Sequence, residues 1–262
     1  MTDLNEFTSQ IITFKALIIG AWLGLLFFGE RLFPKAPSVL NGKDAWTRLG
    51  RNMGSFAILG VLSPLLVVPI TVFAASHALD WRPLWWGGWQ ELLVDLLILD
   101  LFIYWWHRLN HVIPFLWRFH AVHHLDEFLD TTTAVRFHFG EVVFSAIIRG
   151  CFIVIAGVPL VSVLVFEGLV LVSSIFQHSN IKIPNKLDKA ISYVIVTPGW
   201  HWMHHHAKRI DTDSNYANTL TLWDRLFRSV CKHKRRLDMP IGVEGQRDET
   251  FIQLQTRPFR RG

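Results

Sequence analysis

Two long apolar runs constrain this chain more than any other feature of its sequence. The run from Phe56 to Ala75 has about twenty residues without a charge, and the run from Val142 to Phe176 has about thirty-five mostly apolar residues. A helix of about 20 apolar residues crosses a bilayer, so the first run predicts one membrane span. The second run is too long for one straight span and is interrupted at Gly157–Pro159, which predicts a helical hairpin that enters the membrane and returns.

Two further stretches, from about Ile11 to Gly29 and from about Leu92 to Trp106, predict additional spans. Composition agrees, because 51% of the residues are hydrophobic and only 18% are charged, which is more apolar than a typical soluble domain. The sequence lacks an early basic segment followed by a short apolar core and a cleavage site. We therefore expect the stretch from Ile11 to Gly29 to be retained rather than removed as a signal peptide. The predicted fold class is all-α, an integral membrane helical bundle.

Basic residues predict the orientation of this bundle. The loop between the Ile11–Gly29 and Phe56–Ala75 stretches is rich in Lys and Arg. The connection from Ala75 to the Leu92–Trp106 stretch carries only Asp80 and Arg82. The positive-inside rule therefore places the first of these loops in the cytoplasm. About fifteen of the 26 Lys and Arg follow Ile181, and we expect this tail on the same side. The loop cations are Arg31, Lys35, Lys43, Arg48 and Arg51. Candidate interfacial anchors are Trp81, Trp85, Trp86 and Trp89 on one side, and Trp105, Trp106 and Trp117 on the other.

Most of the histidines occur in three clusters that this topology delivers to the cytoplasmic side. On a helix, a spacing of three or four residues brings two imidazoles close enough to bind one metal ion or two adjacent ions. Eight to ten nitrogens are too many for one ion with four to six ligands, so the sequence predicts two ions. The clusters are His107 and His111, then His120, His123 and His124, then His201, His204 and His205, while His138 and His178 lie at the two ends of the apolar hairpin.

The kind of metal site is narrowed by what the motifs lack. Cys151 and Cys231 suggest neither a disulfide framework nor a thiolate site, so histidine must hold the metal. Imidazole suits iron, copper, nickel and zinc, and spacing alone does not separate iron from zinc. No cluster has the HExxH form of a zinc hydrolase, and haem would need one histidine from each of two helices in the bilayer. A histidine-rich surface without metal would bury mutually repelling imidazoles at a membrane boundary, which is costly.

Several polar residues are candidates to support the ligands. Asp100 lies seven residues before His107, two helical turns along the same face, where it could accept an imidazole N–H and fix its tautomer. Asp213, Asn215 and Asp224 are further candidates for hydrogen bonds to ligands or for helix capping.

The ordered set HxxxH, HxxHH and HxxHH, with TPGWHWMHHH, DSNYANTLTLWDRLF and a closing PFR, resembles the sterol desaturase and fatty acid hydroxylase superfamily of membrane di-iron enzymes. The similarity covers about Asp95 to Arg260. HHLDEFLDTTTAVRFHFGE and QHSN are most similar to the branch that includes alkylglycerol monooxygenase. The resemblance implies a membrane base of about four helices under a cytoplasmic histidine-rich cap with two metal ions. It also divides the chain into N-terminal membrane helices with a basic loop over residues 1–90 and a catalytic domain over residues 91–262.

The resemblance also assigns ligands. His138 occupies a position where relatives read RxHPxE, but Phe139 replaces the proline, so His138 is either a ligand or a residue behind the ligands. His206 is expected outside the ligand set, and His77 and His233 match nothing in the family. The implied ligands are His107, His111, His120, His123, His124, His178, His201, His204 and His205.

The implied activity is an O2-dependent hydroxylation or desaturation of a lipid, such as a sterol, a fatty acyl chain or an alkylglycerol. Two iron ions, cycling between Fe2+ and Fe3+, would be the cofactors, and zinc could replace them during purification. Electrons would come from an external redox protein or a reduced pterin, and the basic tail would meet anionic lipid headgroups. The alternative is a histidine-rich membrane metal transporter or metal-binding protein; a transporter's ligands should lie inside the bilayer on crossing helices. Nucleic acid is not an expected partner, because the basic segment KHKRR is short and adjoins membrane segments.

Overall fold

The computed structural model describes residues 2–37, 42–83 and 87–260, with the side chains of residues 2–13 and of residue 16 left aside. These residues form α-helices and short turns without a β-strand, and the extended segments meet only at isolated bridges. The helices are α1 (Thr2–Leu32), α2 (Gly42–Leu62), α3 (Val68–Ser76), α4 (Gly88–Val112), α5 (Pro114–His124), α6 (Phe139–Ala156), α7 (Leu160–His178), α8 (Asn185–Ile191), α9 (Pro198–His204), α10 (Arg209–Thr212), α11 (Leu222–Leu226) and α12 (Phe251–Thr256).

The apolar run from Phe56 to Ala75 belongs to a longer helix than the sequence predicted. α2 and α3 are joined by the π-helical turn Ser63–Val67, whose Pro64 has no N–H to continue the ordinary helical ladder. The combined helix Gly42–Ser76 therefore begins well before Phe56. Part of the predicted basic loop is helical as a result, because Lys43, Arg48 and Arg51 lie in α2.

The predicted break between two helices is confirmed, because α6 ends at Ala156 and α7 begins at Leu160. Gly157 ends α6 in the left-handed conformation with φ of 67°, which glycine adopts without steric cost. A side chain at this position would also collide, because a Cβ would lie 2.6 Å from the carbonyl oxygen of Leu79. Pro159 then precedes the first residue of α7, which packs against α1, α3 and α4.

Among the described residues, three helices are long and apolar enough to cross a membrane, namely the combined helix Gly42–Ser76, α6 and α7. Their outer faces expose large apolar side chains such as Ile148, Ile155 and Leu171. α4, which contains the predicted third span, is not among these three; it carries Asp95 and Asp100. Of the predicted aromatic anchors, Trp81, Trp89 and Trp105 are exposed and Trp106 is buried, whereas Trp85 and Trp86 lie outside the described residues.

The core of the bundle lies where α3, α4, α6 and α7 meet. Leu99 of α4, Ile153 of α6 and Val163 and Phe166 of α7 are fully or almost fully buried against one another. α1 packs against α7. This packing brings the end of α4, the start of α6 and the end of α7 to one end of the bundle, which the shorter segments after α7 cover.

Candidate metal centre

All nine histidines of the implied ligand set meet at that end of the bundle, in two groups. Within each group, every histidine offers a ring nitrogen within 4.8 Å of those of the others. The groups adjoin, because the rings of His124 and His205 stack with their centroids 4.3 Å apart. The first group is His107, His111, His120, His124 and His204, and the second is His123, His178, His201 and His205.

A break between two helices turns the first two clusters toward each other. Pro114 is the first residue of α5, and Ile113 before it is extended with φ of −87° and ψ of 114°, as expected for a residue that precedes proline. The chain therefore leaves α4 after His111 and turns back. The rings of His111 and His124 consequently lie with their centroids 4.8 Å apart.

Two other helix ends bring in the remaining ligands. His178 is the last residue of α7, so the apolar hairpin delivers it directly to the site. α9 begins at Pro198, and the hydroxyl of Thr197 caps it by accepting from Trp200 N at 3.3 Å. This helix presents His201 and His204 to the second and first groups respectively.

Five of the histidines donate through Nδ1 to a fixed oxygen of the protein. Four of these oxygens are backbone carbonyls and the fifth is the Glu141 carboxylate, so in each ring Nδ1 holds the proton and Nε2 is the free electron donor. The pairs are His107 with Tyr216 O at 2.8 Å, His123 with Arg136 O at 3.0 Å, His178 with Ser174 O at 2.7 Å, His204 with Ser214 O at 2.7 Å, and His120 with Glu141 Oε1 at 2.8 Å.

The Nε2 atoms of these rings meet in a way that calls for a cation. His123 and His178 have their Nε2 atoms 3.0 Å apart, and so do His107 and His204. Because each Nδ1 already donates to a carbonyl oxygen, neither member of a pair has a second proton to share while both rings are neutral. Two bare lone pairs at this distance repel each other. A metal ion bound to both nitrogens removes the repulsion, and each group contains one such pair.

The other buried nitrogens support the same interpretation. Both nitrogens of His111 and His124, and Nε2 of His120, have no hydrogen-bond partner among the described residues, a state that costs about 1–3 kcal/mol for a buried polar atom. Nitrogen ligands at about 2.0–2.1 Å from one ion and at right angles to each other lie about 3 Å apart. The residues present therefore fit two metal ions held by imidazole.

Burial keeps the histidines of the third cluster, His201, His204 and His205, neutral, as metal ligands must be. Desolvation, followed by the proximity of other imidazoles, lowers the pKa of His201 and His205 well below the ordinary value of 6.5. Burial likewise lowers the pKa of His204 to about 3. At neutral pH these nitrogens are available to a metal without competition from protons.

His138 lies outside both groups. Its Nδ1 accepts from Gly140 N at 2.8 Å and so caps α6, while its Nε2 donates to Gln255 O at 2.8 Å. Both ring nitrogens are therefore occupied by the protein. Glu141, three residues further on, is the carboxylate that contacts His120. It was not among the predicted site residues, although an acidic residue at the start of an apolar helix was the available signal.

Asp100 and Asp224, two of the predicted supporting residues, hydrogen-bond to the segment between α10 and α11 rather than to the histidines themselves. Asp100 accepts from Leu220 N at 3.1 Å and Trp223 Nε1 at 2.8 Å, rather than from an imidazole as predicted. Asp224 is fully buried and accepts from Tyr216 N at 2.8 Å, which fixes the loop whose carbonyls orient His107 and His204.

The two other candidates from this loop have different surroundings. Asp213 Oδ1 lies 3.4 Å from Nδ1 of His111, and its other oxygen is paired with Arg209. Asn215 adopts a positive φ of 52°. Its side chain donates to Trp200 O and accepts from Cys231 N, so it joins the loop to α9 and to the segment after α11.

Buried ion pairs hold the segment that follows α5. Arg48 of α2 donates to Asp126 at 2.5 and 2.8 Å and to Asp130 at 2.8 Å. Arg136, whose carbonyl orients His123, is paired through its guanidinium with Asp248. The metal centre is thus tied to α2 on one side and to the C-terminal segment on the other.

The remaining histidines lie outside the two groups. His206 and His233 each donate to a different oxygen of Asp211, at 2.6 and 2.5 Å. His77 is exposed and hydrogen-bonded to Phe73 O at the end of α3.

Comparisons with known proteins agree with this centre. The ornithine lipid hydroxylase OlsE of Rhizobium tropici is 26% identical over 205 residues, which are 78% of this chain and 61% of the relative. The alkylglycerol monooxygenase of Danio rerio is 30% identical over 169 residues, 61% of this chain and 35% of the relative. The cholesterol 25-hydroxylase of Rattus norvegicus is 26% identical over 161 residues, 56% of this chain and 50% of the relative.

The chain thus covers less than two thirds of the length of these relatives. No solved structure matches it. A sequence model of the fatty acid hydroxylase family matches residues 92–229, more than half of the chain, and this range contains all nine histidines of the two groups. The chain belongs to the fatty acid hydroxylase family.

Proposed function

We propose that each histidine group holds one iron ion and that the protein is a membrane-bound, O2-dependent oxygenase that hydroxylates a C–H bond of a lipid. The observation that carries the proposal is the pair of opposed Nε2 lone pairs, one pair in each group, at 3.0 Å. Iron is favoured over zinc because zinc has no redox chemistry. Bound iron supplies O2 reduction and C–H activation, which no side chain can perform.

Several observations support a lipid substrate. The relatives are named as hydroxylases or monooxygenases of ornithine lipid, alkylglycerol and cholesterol. Three helices among the described residues are apolar enough to cross a membrane. The two histidine groups lie at one end of the bundle that contains these helices. A long apolar chain that enters from the bilayer would need to travel only along the helices to present one carbon to the site.

The residues around the site would hold and orient rather than react. Carbonyl oxygens of the backbone and Glu141 fix the tautomers and ring planes of five ligands. Eight of the nine histidines are buried and His107 is half-buried, which excludes bulk water from the site. Asp213 beside His111 is a carboxylate at the rim of the first group that is partly open to solvent, which suits proton delivery.

The electrons would come from outside the chain. Inserting one atom of O2 into a C–H bond and reducing the other to water consumes two electrons and two protons. The sequence has no Gly-rich dinucleotide-binding turn, and two cysteines are too few for an iron–sulfur cluster. A redox protein or a reduced pterin is therefore proposed as the donor, approaching the histidine-rich end, which the basic tail and the basic residues after α1 would place in the cytoplasm.

A metal transporter is the competing function. It would need ligands distributed along a path through the bilayer, whereas the nine histidines converge at one end of the bundle. It also predicts no oxygenated product.

Metal content tests the first half of the proposal. Protein purified and reconstituted with ferrous iron without oxygen should bind about two ions per chain. His201→Ala should lose about one of them, because His201 Nε2 lies 3.0 and 3.1 Å from those of His178 and His205. His77→Ala is the matched control, since His77 is exposed and remote from both groups. A wild-type content well below one ion would refute the di-metal site.

Lipid profiles test the second half. Cells that produce the wild-type protein should contain a lipid species with one additional oxygen atom, and cells with His201→Ala at equal protein level should not. The His77→Ala variant should retain the product. A protein that binds two ions and yields no oxygenated lipid with any supplied reductant would leave the metal site standing and overturn the hydroxylase function.

A further inference from the structure

A cavity of about 600 Å³ lies beside α9, away from the histidine groups. Trp200 and Met203 of α9 line it, whereas His201 and His204 of the same helix belong to the metal centre. Its other walls come from α8, from Lys35 after α1 and from the segment between Val230 and Leu237. The volume is in the range of small-ligand sites, about 300–1,000 Å³.

The charges that line this cavity are strongly unbalanced. Four cationic side chains face one carboxylate, that of Asp188. No ion pair joins these cations to a carboxylate within the part of the chain that the structure describes, and Lys35 donates only to uncharged oxygens. Asp188 accepts from the backbone N–H of Gly199 at 3.3 Å. The four cations are Lys35, Lys189, Lys234 and Arg235.

Arg235 is the most informative of these residues. Its guanidinium carbon lies 4.1 Å from the centroid of the Trp202 ring, which holds the group in place. Its Nε and Nη2 atoms are buried without a hydrogen-bond partner among the described residues. The charge of Asp188 acts on this guanidinium, but no hydrogen bond joins the two side chains in the described chain. A guanidinium with buried, unpaired donors is costly in a protein interior, and burial lowers the pKa of Arg235 to about 10, so the group remains charged at neutral pH. An anion in the cavity would relieve this cost.

We propose that this cavity binds a phosphate-type anion, either the headgroup phosphate of a membrane lipid or a free phosphate group. Arg235 lines the cavity, and a guanidinium group binds phosphate oxygens through charge-assisted hydrogen bonds. Lys189 and Lys234 at the cavity wall add two exposed ammonium groups. Exposed Leu187 and Tyr193 adjoin these cations along and after α8, the combination of apolar and basic side chains that adsorbs to an anionic membrane surface.

Thermal unfolding of the full chain in a non-ionic detergent tests this site. The probes are sodium phosphate against sodium chloride at equal ionic strength, and phosphatidylglycerol against phosphatidylcholine in mixed micelles. At about ten times Kd, we expect the anionic probe to raise the wild-type Tm by roughly 2–5 °C. Arg235→Gln should abolish the shift. Arg236→Gln is the matched control, because Arg236 is exposed and already paired with Asp238, and it should keep the full shift.

The two probes distinguish the sources of the anion. A shift with inorganic phosphate supports a site for a small anion, and a shift with phosphatidylglycerol alone supports a lipid headgroup. If Arg235→Gln does not fold, the double variant Lys189→Gln and Lys234→Gln should lose at least half of the shift, and it should fold because both side chains are exposed. No shift with either probe, or an equal shift in the wild type and in the variants of the cavity, overturns the proposal. Metal content is unaffected in either case.

Discussion

Replacing Asp224 with Asn perturbs the metal centre from a position that touches no ligand. The buried carboxylate accepts four hydrogen bonds. Oδ1 receives Tyr216 N at 2.8 Å and the Ser229 hydroxyl at 2.8 Å. Oδ2 receives Ala217 N at 3.2 Å and Trp200 Nε1 at 3.1 Å. In the Asp224→Asn variant the amide nitrogen should take the place of Oδ1, because the serine hydroxyl can reverse its bond whereas the two donors at Oδ2 cannot.

The expected loss follows from this geometry. Tyr216 N would then face a second donor, and a buried unpaired N–H costs about 1–3 kcal/mol. Loss of the charge weakens the other bonds, but it also removes the cost of a buried carboxylate, whose pKa desolvation raises to about 6. We therefore expect a net destabilisation of about 2 kcal/mol. Because Tyr216 O orients His107 at 2.8 Å, metal affinity at the first group should fall about 10–100-fold.

Chelator competition and thermal unfolding measure the two effects on the same protein. Asp238→Asn is the control, since Asp238 is an exposed carboxylate paired with Arg236; both its metal retention and its Tm should match the wild type. If Asp224→Asn lowers the Tm but releases metal at the wild-type rate, the carbonyl of Tyr216 does not control the ligand. Wild-type values for both quantities would refute the reasoning entirely.

Three further results are expected. Glu141→Gln should reduce metal affinity less than tenfold, because the glutamine amide oxygen can still accept from His120. Glu141→Ala removes this acceptor and should reduce metal affinity about 10–100-fold. Equal losses of the two variants in a chelator titration would contradict this. In the metal-free protein, burial depresses the folded-state pKa of His201 and His205 and lowers that of His204 to about 3. Stability should therefore be full above about pH 6.5 and fall toward pH 3 by up to about 1.4 kcal/mol per pH unit and proton. A flat urea-unfolding profile from pH 7 to 5 would be inconsistent with this reasoning. Gly157→Ala should lower the free energy of unfolding by about 1–3 kcal/mol, because residue 157 has a positive φ and a new Cβ would collide with Leu79 O. Gly60→Ala is the control and should not lower the Tm, because the new methyl group has open space around it.

Features with a local signal could be predicted from the sequence. The hairpin could be predicted because a glycine and a proline interrupt an apolar run that is too long for one span. The histidine clusters were identifiable because helical spacing fixes which side chains share a face. The family match and the two histidine groups agree with that interpretation.

Features that depend on partners distant in sequence could not be predicted. Helical periodicity assigned Asp100 to His107. In the structure the segment around Leu220 packs beside α4, and Leu220 N and Trp223 Nε1 donate to the Asp100 carboxylate instead. Arg48 looked like a loop cation, although it is buried against Asp126 and Asp130. The acceptors of His107, His123, His178 and His204 are backbone carbonyls, and a carbonyl oxygen is present at every residue, so it carries no sequence signal.

The wide separation of the ligands along the chain has a consequence for biosynthesis. His107 Nε2 meets His204 Nε2 across 97 residues of sequence, and Arg136 meets Asp248 across 112 residues. At about 5–20 residues per second, a ribosome needs roughly 5–20 s to pass from the first histidine to the third cluster. By the end of that interval the nascent chain displays six of the nine imidazoles without the third cluster. Neither group is complete until His204 and His205 have been synthesised, so a metal ion held by the complete groups would enter after the apolar helices have been made, and metal delivery would then be a step of maturation rather than of folding.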